Sequence, residues 1–210
     1  VPGRPLPCPP ITLVQSLLKH DHFELVVQKA TELGVRRIVP LVAERCVVAV
    51  KPEGVSRRLE RWRRIAIEAS EQSGRASLPV IEPPRRLEEI EAELGSYRAI
   101  LLWEGVEAPP LAALELEPET PVLLLVGPEG GWAPGEVEQL RAAGAELASL
   151  GPLILRSETA AIAGITAVQA LAARRSAGCV PAAEEPRQAK PVSSGERQQR
   201  AGAPKASGAG

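Results

Sequence analysis

The run Val122-Leu123-Leu124-Leu125-Val126 has no polar interruption, and it ends directly on the loop Gly127-Pro128-Glu129-Gly130-Gly131-Trp132. A strand with one wet face alternates apolar with polar residues. One without alternation is covered on both faces, as in a parallel sheet flanked by helices. The rest of the chain supplies the covering. Phe23, Val26, Val27, Ala30 and Leu33 recur at helical spacing, and Gly34 stands where a left-handed C-terminal cap would fall. Residues 38–42 read as a short buried strand. Ser56 is placed to cap a helix whose apolar stripe is Leu59, Trp62, Ile65, Ala66 and Ala69, with Arg57, Arg58, Arg61 and Arg64 on the opposite face. Strand-like runs follow at 78–81 and 99–103, with a helical segment at 87–94 between them. A helix opening at Pro134, a strand at 147–150 and a helix from about 158 to 175 complete the series. Alternating strands and helices predict an α/β domain with a mainly parallel sheet and helices on both faces.

Composition sets the outer limits. Of 210 residues, 44% are hydrophobic and 24% charged, enough for a core and a solvated surface. A net charge of −1 removes the bulk electrostatic signature of a strongly basic nucleic-acid binder, so any RNA contact must come from a local patch. The weakly apolar stretch 159–173 is shorter than the ~20 residues a bilayer requires, and no charged segment followed by an apolar one opens the chain. Cys8, Cys46 and Cys179 are too few and too scattered for a disulfide framework or a zinc site. These features predict a soluble cytoplasmic protein. His20-Asp21-His22 has the look of a metal pair, but no third ligand follows at a useful spacing, and no metal is expected. Residues 176–210 are dominated by Ala, Gly, Ser and Pro, which cannot bury enough surface to offset ordering entropy, and are expected to form a disordered tail. The sequence holds no methionine and begins at Val1, which suggests a fragment or a processed start. The expected division is therefore 1–10 as a remnant or linker, 11–175 as the folded domain and 176–210 as tail.

Open parallel sheets bind ligands at the carboxyl ends of their strands. Three such ends carry glycine and polar residues: Trp103-Glu104-Gly105, the loop from Gly127 to Trp132, and Gly151-Pro152-Leu153-Ile154-Leu155-Arg156-Ser157-Glu158-Thr159-Ala160. An ordinary tight turn accounts for any one of them taken singly. None fits a nucleotide signature: the Gly127 loop lacks the Lys-Ser/Thr of a phosphate-binding loop, and no G-x-G-x-x-G follows a strand.

The string LLLVGPEGGW…EVEQLRAAG, followed by LGPLILRSETAAIAG, closely resembles the ribosomal small-subunit RNA methyltransferase E family of knotted SPOUT methyltransferases. VVQKATELGV, IVPLVAERCVV and RWRRIAIEASEQSGR resemble it too, in the same order, so the likeness covers roughly residues 10–171. It implies a C-terminal deep trefoil knot, a homodimer, and S-adenosylmethionine held by the three strand ends. Carried over by motif, the cofactor residues are Leu102, Gly127, Glu129, Gly130, Leu150, Gly151, Ile154, Leu155, Arg156 and Thr159. The implied reaction is methylation at N3 of a uridine in 16S ribosomal RNA. A SPOUT enzyme acting on a ribose 2′-hydroxyl and a catalytically silent knotted RNA-binding protein are the alternatives.

Uridine N3 must lose its proton before it can accept a methyl group, so the uracil anion needs a partner. Arg156, always charged and able to donate two aligned hydrogen bonds, is the first choice, and a structural ion pair with Glu129 or Glu158 is the competing reading. Glu129 and Glu158 are candidates to accept the proton or to offset the sulfonium charge. Arg57, Arg58, Arg61, Arg64 and Arg75 are candidates to contact RNA phosphates, against the plainer reading of a solvated helix face. Cys46 reads as a packing residue. Three departures from the family stand out. Only about ten residues precede Ile11, where the family carries a small RNA-binding β-barrel. Ala133 replaces the usual Ser or Thr cap, a loss of ~1 kcal/mol. Gly164 interrupts the last helix, at up to ~1 kcal/mol relative to Ala.

Overall fold

The computed structural model describes residues 9–48, 52–105 and 107–178. Its elements run β1 (Ile11–Ser16), α1 (His22–Glu32), β2 (Arg37–Val42), α2 (Pro52–Ser73), β3 (Val80–Ile81), β4 (Arg85–Arg86), α3 (Leu87–Glu91), β5 (Arg98–Leu102), β6 (Val122–Val126), α4 (Pro134–Ala142), β7 (Glu146–Ala148) and α5 (Ser157–Gly178). Short 3₁₀ turns sit at Leu94–Ser96 and Leu111–Ala113. The strand order is β3-β2-β1-β6-β5-β7, β4 also pairs with β2, and every pairing among these strands is parallel.

The central strand is β1, which the sequence pattern hid. All six of its residues are buried, Thr12, Gln15 and Ser16 among them. Those polar residues break the apolar run that marks a buried strand, and only pairing with β2 on one side and β6 on the other makes the segment a strand. Leu13 lies opposite both Ile38 and Leu124.

The unalternating β6 does what its composition requires. Val122, Leu124 and Val126 join one core with Phe23, Val26 and Ala30 of α1, Trp62 and Ala66 of α2, and Ala161, Ile165 and Val168 of α5. Leu123 and Leu125 join a second core with Ile90 of α3 and Val137 and Leu140 of α4, together with Trp132. Burying five such side chains on both faces stabilises the strand by about 1.5–3 kcal/mol each. Helices therefore cover both faces of the sheet.

Several boundaries differ from expectation. Ser56 lies inside α2, which already runs from Pro52, so it caps nothing. The 78–81 run shrinks to Val80–Ile81, and Leu78 and Val80 are exposed. The strand expected at 147–150 is Glu146–Ala148. Helix α5 continues to Gly178, past the boundary expected at 175/176; residues 179–210 and 1–8 lie outside the described residues. Gly34 does close α1, with φ of +82° and its N–H bonded to the Thr31 carbonyl. The missing cap at Ala133 is offset by Glu136, which accepts hydrogen bonds from the N–H groups of Ala133 (3.0 Å) and Glu44 (2.8 Å). That buried carboxylate pins the start of α4 to the β2–α2 segment.

Candidate functional site

Three strand ends and the β1–α1 turn enclose a cavity of about 570 Å³, within the range of about 300–1,000 Å³ typical of small-molecule sites. After β5 come Leu102, Trp103 and Glu104; after β6, Gly127, Pro128, Glu129 and Gly131; after β7, Leu150, Gly151 and the segment from Leu153 to Glu158. The fourth wall is Lys19, His20 and His22. The sequence pointed to the first three. Its only signal for the fourth was the His-Asp-His string, which has the look of a metal pair; among the described residues, no group of three or more His, Cys, Asp or Glu could hold a metal ion.

Most of the residues expected to hold a cofactor stand in the cavity wall: Leu102, Gly127, Glu129, Leu150, Gly151, Ile154, Leu155 and Arg156. Gly130 and Thr159 do not. Gly130 turns toward Arg45, whose Nη1 donates to its carbonyl at 3.3 Å, while Gly131 faces the cavity instead. On α5, Ser157, Glu158 and Ala160 line the cavity and Thr159 is exposed.

A buried relay fixes the walls to one another. Gln15 Nε2 donates to Ser157 Oγ (2.9 Å), and Ser157 Oγ donates to the Gly127 carbonyl (2.5 Å). This ties the central strand to the start of α5 and to the loop after β6. Trp132 Nε1 donates to the Leu102 carbonyl (3.2 Å), which joins that loop to the end of β5. The Lys19 N–H donates to Glu129 Oε1 at 2.8 Å and holds the fourth wall against the second.

Apart from Glu129 Oε1, which takes the Lys19 N–H, the main charged groups of the cavity are left open. Arg156 is exposed and, among the described residues, makes no ion pair, against the structural reading. Glu158 is buried, and its Oε2 has no hydrogen-bond partner. His22 Nδ1 is also unpartnered and lies 4.0 Å from both Glu129 Oε1 and Glu158 Oε2.

The arginines expected to contact RNA separate into two kinds. Arg57, Arg61 and Arg64 are exposed on α2 and Arg58 is half-buried there; Arg61 is paired with Glu24 (2.6 Å) and Asp21 (3.6 Å). Arg75 is committed elsewhere. Its guanidinium donates to the carbonyls of Thr31 (2.9 Å) and Val35 (2.6 Å), clamping the end of α1, and burial lowers its affinity for a proton, with Arg36 adding to the effect. Cys46 keeps its packing role: burial pushes its thiol above the ordinary value, against a nucleophile's needs.

The family model described as RNA methyltransferase domain matches residues 4–169. The ribosomal RNA small subunit methyltransferase E of Mycobacterium bovis is 35% identical over 170 residues, covering 79% of this chain and 65% of that protein. The enzyme of the same name from Neisseria gonorrhoeae, solved bound to S-adenosyl methionine, is 37% identical, with a TM-score of 0.71 over 77% of this chain and 66% of that one. A Legionella pneumophila protein solved in complex with SAM matches at 35% identity and a TM-score of 0.74, over 78% and 66% of the two chains. The chain thus spans about two thirds of the length of each of these relatives.

Proposed function

Because the chain belongs to the RNA methyltransferase domain family, we propose that it is an S-adenosylmethionine-dependent enzyme that methylates N3 of a uridine in 16S ribosomal RNA. The observation that carries this reading is the cavity itself. It lies at the carboxyl ends of β5, β6 and β7 and combines apolar walls with the carboxylates of Glu129 and Glu158 and the guanidinium of Arg156, which makes no ion pair among the described residues.

The wall residues fit such a cofactor. Leu102, Leu150 and Leu155 offer apolar surface to a flat base, and Gly151, with open space where a Cβ would stand, allows a close approach. Glu129 and Glu158 supply negative charge for an ammonium or a sulfonium. When bound, the cofactor supplies an electrophilic methyl group. The protein's own task is then to hold the uracil and bear the charge left when N3 loses its proton. Arg156 does this by donating to the oxygen that carries that charge. A neutral uracil makes the weaker partner, so the interaction favours the transition state over the ground state.

RNA reaches the cavity along the α2 face, where Arg57, Arg58 and Arg64 make no ion pair among the described residues. The knot and the homodimer belong to this reading as well. It is supported by α5, which returns from β7 to pack its Ala161, Ile165 and Val168 into the core beneath β6 and β1. Leu153 and Ile154, 76% and 84% exposed beside the cavity, are the apolar surface a second copy would cover. A cytoplasmic location follows from the ribosomal substrate, and among the described residues no helix is long and apolar enough to cross a membrane.

The test uses small ribosomal subunits lacking the modification, labelled cofactor and nucleoside analysis of the product. Label appearing in 3-methyluridine supports the proposal. Label in a ribose-methylated nucleoside, or none from protein that binds the cofactor in a titration with chelator present, refutes it.

A further inference from the structure

His22 sits at the junction of the cavity's walls. It opens α1, and its Nδ1 lies 4.0 Å from Glu129 of the loop after β6 and 4.0 Å from Glu158 at the start of α5. That distance is beyond hydrogen-bond reach and within ion-pair range. Both His22 Nδ1 and Glu158 Oε2 are buried without a partner. Unsatisfied buried polar atoms are rare enough in folded proteins that each calls for a reason, and here two of them face one another. With a neutral imidazole, two carboxylates share this corner without a proton between them. With an imidazolium, each gains an opposite charge.

The surrounding charges do not compete for that role. Asp21 and Glu24 are taken up by Arg61 of α2. Lys19 holds Glu129 through its backbone N–H, the His20 ring is centred 6.5 Å from that of His22, and Arg156 enters from the β7–α5 loop. His20 itself has a φ of +51°, a left-handed conformation uncommon outside glycine, at the turn that delivers His22 to the cavity.

Resting on the methyltransferase reading above, we propose that His22 accepts the N3 proton of the target uracil, and that Glu158 and Glu129 stabilise the imidazolium so formed. The N3–H bond breaks and its electron pair stays on N3. The proton passes to the ring nitrogen that does not face the carboxylates. The pair on N3 then bonds the methyl carbon as the sulfur–carbon bond breaks, leaving its electrons on sulfur. A neutral imidazole and a sulfonium become an imidazolium and a thioether, so charge is conserved. An imidazole suits this better than either carboxylate, since its ordinary proton affinity is about two pH units higher. The carboxylates orient and stabilise it, as in other carboxylate–imidazole couples.

The experiment is single-turnover methyl transfer to saturating small subunits at low salt, across about pH 5–9, with cofactor affinity measured in parallel. The wild-type rate should climb through the range in which imidazoles titrate and then level off. His22→Gln should be slower by about 100-fold or more, and its rate should keep rising with pH, while cofactor affinity stays within about threefold. His22→Lys, which keeps a cation and accepts no proton near neutrality, should be as slow as His22→Gln. The chain has only two histidines, so in a His20→Gln protein the His22 imidazole can be followed alone by NMR, and its titration should coincide with the midpoint of the rate profile. A wild-type protein that binds cofactor yet methylates no uridine base defeats the functional reading. Wild-type transfer with an unchanged profile in His22→Gln, or full activity in His22→Lys, defeats this inference alone.

Discussion

The edge around β2 and β4 and the cavity beyond β6 and β7 handle charge in opposite ways. At the edge, Arg37 and Arg85 both bond Glu93, and Glu82 adds a second carboxylate to each guanidinium. In the cavity, Arg156 is unpaired among the described residues, and His22 and Glu158 present buried polar atoms to each other without a bond. The edge network fixes structure by pairing its charges, although Arg37 Nε is left without a partner. A site built for a ligand keeps its capacity unspent, and the bound molecule completes it. The contrast separates architecture from chemistry within one small domain.

The largest effect that would sharpen this contrast is at Arg156. Arg156→Ala should lower the single-turnover rate by ~100-fold or more, as for loss of a donor to a developing anion, with a much smaller change in cofactor affinity. Equal, small losses in both would move Arg156 to the architectural side. At the edge, Glu93→Gln should lower stability by about 1–2 kcal/mol in denaturant unfolding and leave the methylation rate unchanged.

That edge also has a signed pH dependence. Partial burial works against the charge of Glu93, but hydrogen bonds and charges from Arg37 and Arg85 outweigh it and hold its carboxyl below the ordinary value of 4.5. A group with a lowered folded value adds stability that is fully present above its unfolded value and lost as pH falls through the folded one. The wild-type protein should therefore lose stability below about pH 4.5 more steeply than Glu93→Gln. Parallel curves for the two proteins would show that the cluster carries no acid sensitivity.

A smaller effect tests how far the two regions are independent. A Cβ on Gly164 would lie 2.8 Å from Leu102 Cδ1 and 3.2 Å from Leu124 Cδ2, and Leu102 lines the cavity. Gly164→Ala gains helix propensity worth up to ~1 kcal/mol but overpacks the sheet by about 1–3 kcal/mol. The expected result is a modest net destabilisation with weaker cofactor binding, read by thermal unfolding and calorimetry. Improved stability with unchanged binding would show that Leu102 can move aside freely. The smallest effect is on cofactor affinity in Arg57→Ala, expected to be under about twofold, while the salt dependence of RNA binding shallows by about one unit in slope.

How much was legible differs between residues for physical reasons. The unalternating 122–126 run and the Gly34 stop are local signals, and both hold in the structure. The strand ends after β5, β6 and β7 were found because glycine-bearing turns at strand termini follow a general rule of parallel sheets. Gly130 and Thr159 lie outside the cavity wall, because a motif does not fix which neighbouring residue faces a cavity. The turn at Gly131 and the phase of α5 decide which neighbour faces the cavity. Ser56 looked like a cap because it is a capping residue type, but the helix already runs from Pro52.

The sequence by itself determined an α/β domain with a doubly covered parallel sheet, since apolar periodicity and breaker residues are properties of the chain's own order. Only the tertiary structure decided that Ile11–Ser16 is the central strand, with its polar residues spent on a relay from Gln15 through Ser157 to Gly127. It also decided that Arg75 clamps a helix end and that His22 stands between two carboxylates far away in sequence. Most of those outcomes depend on contacts between segments more than a hundred residues apart, or between a side chain and another element's backbone. Such contacts come into being when the sheet assembles, and no local pattern encodes them.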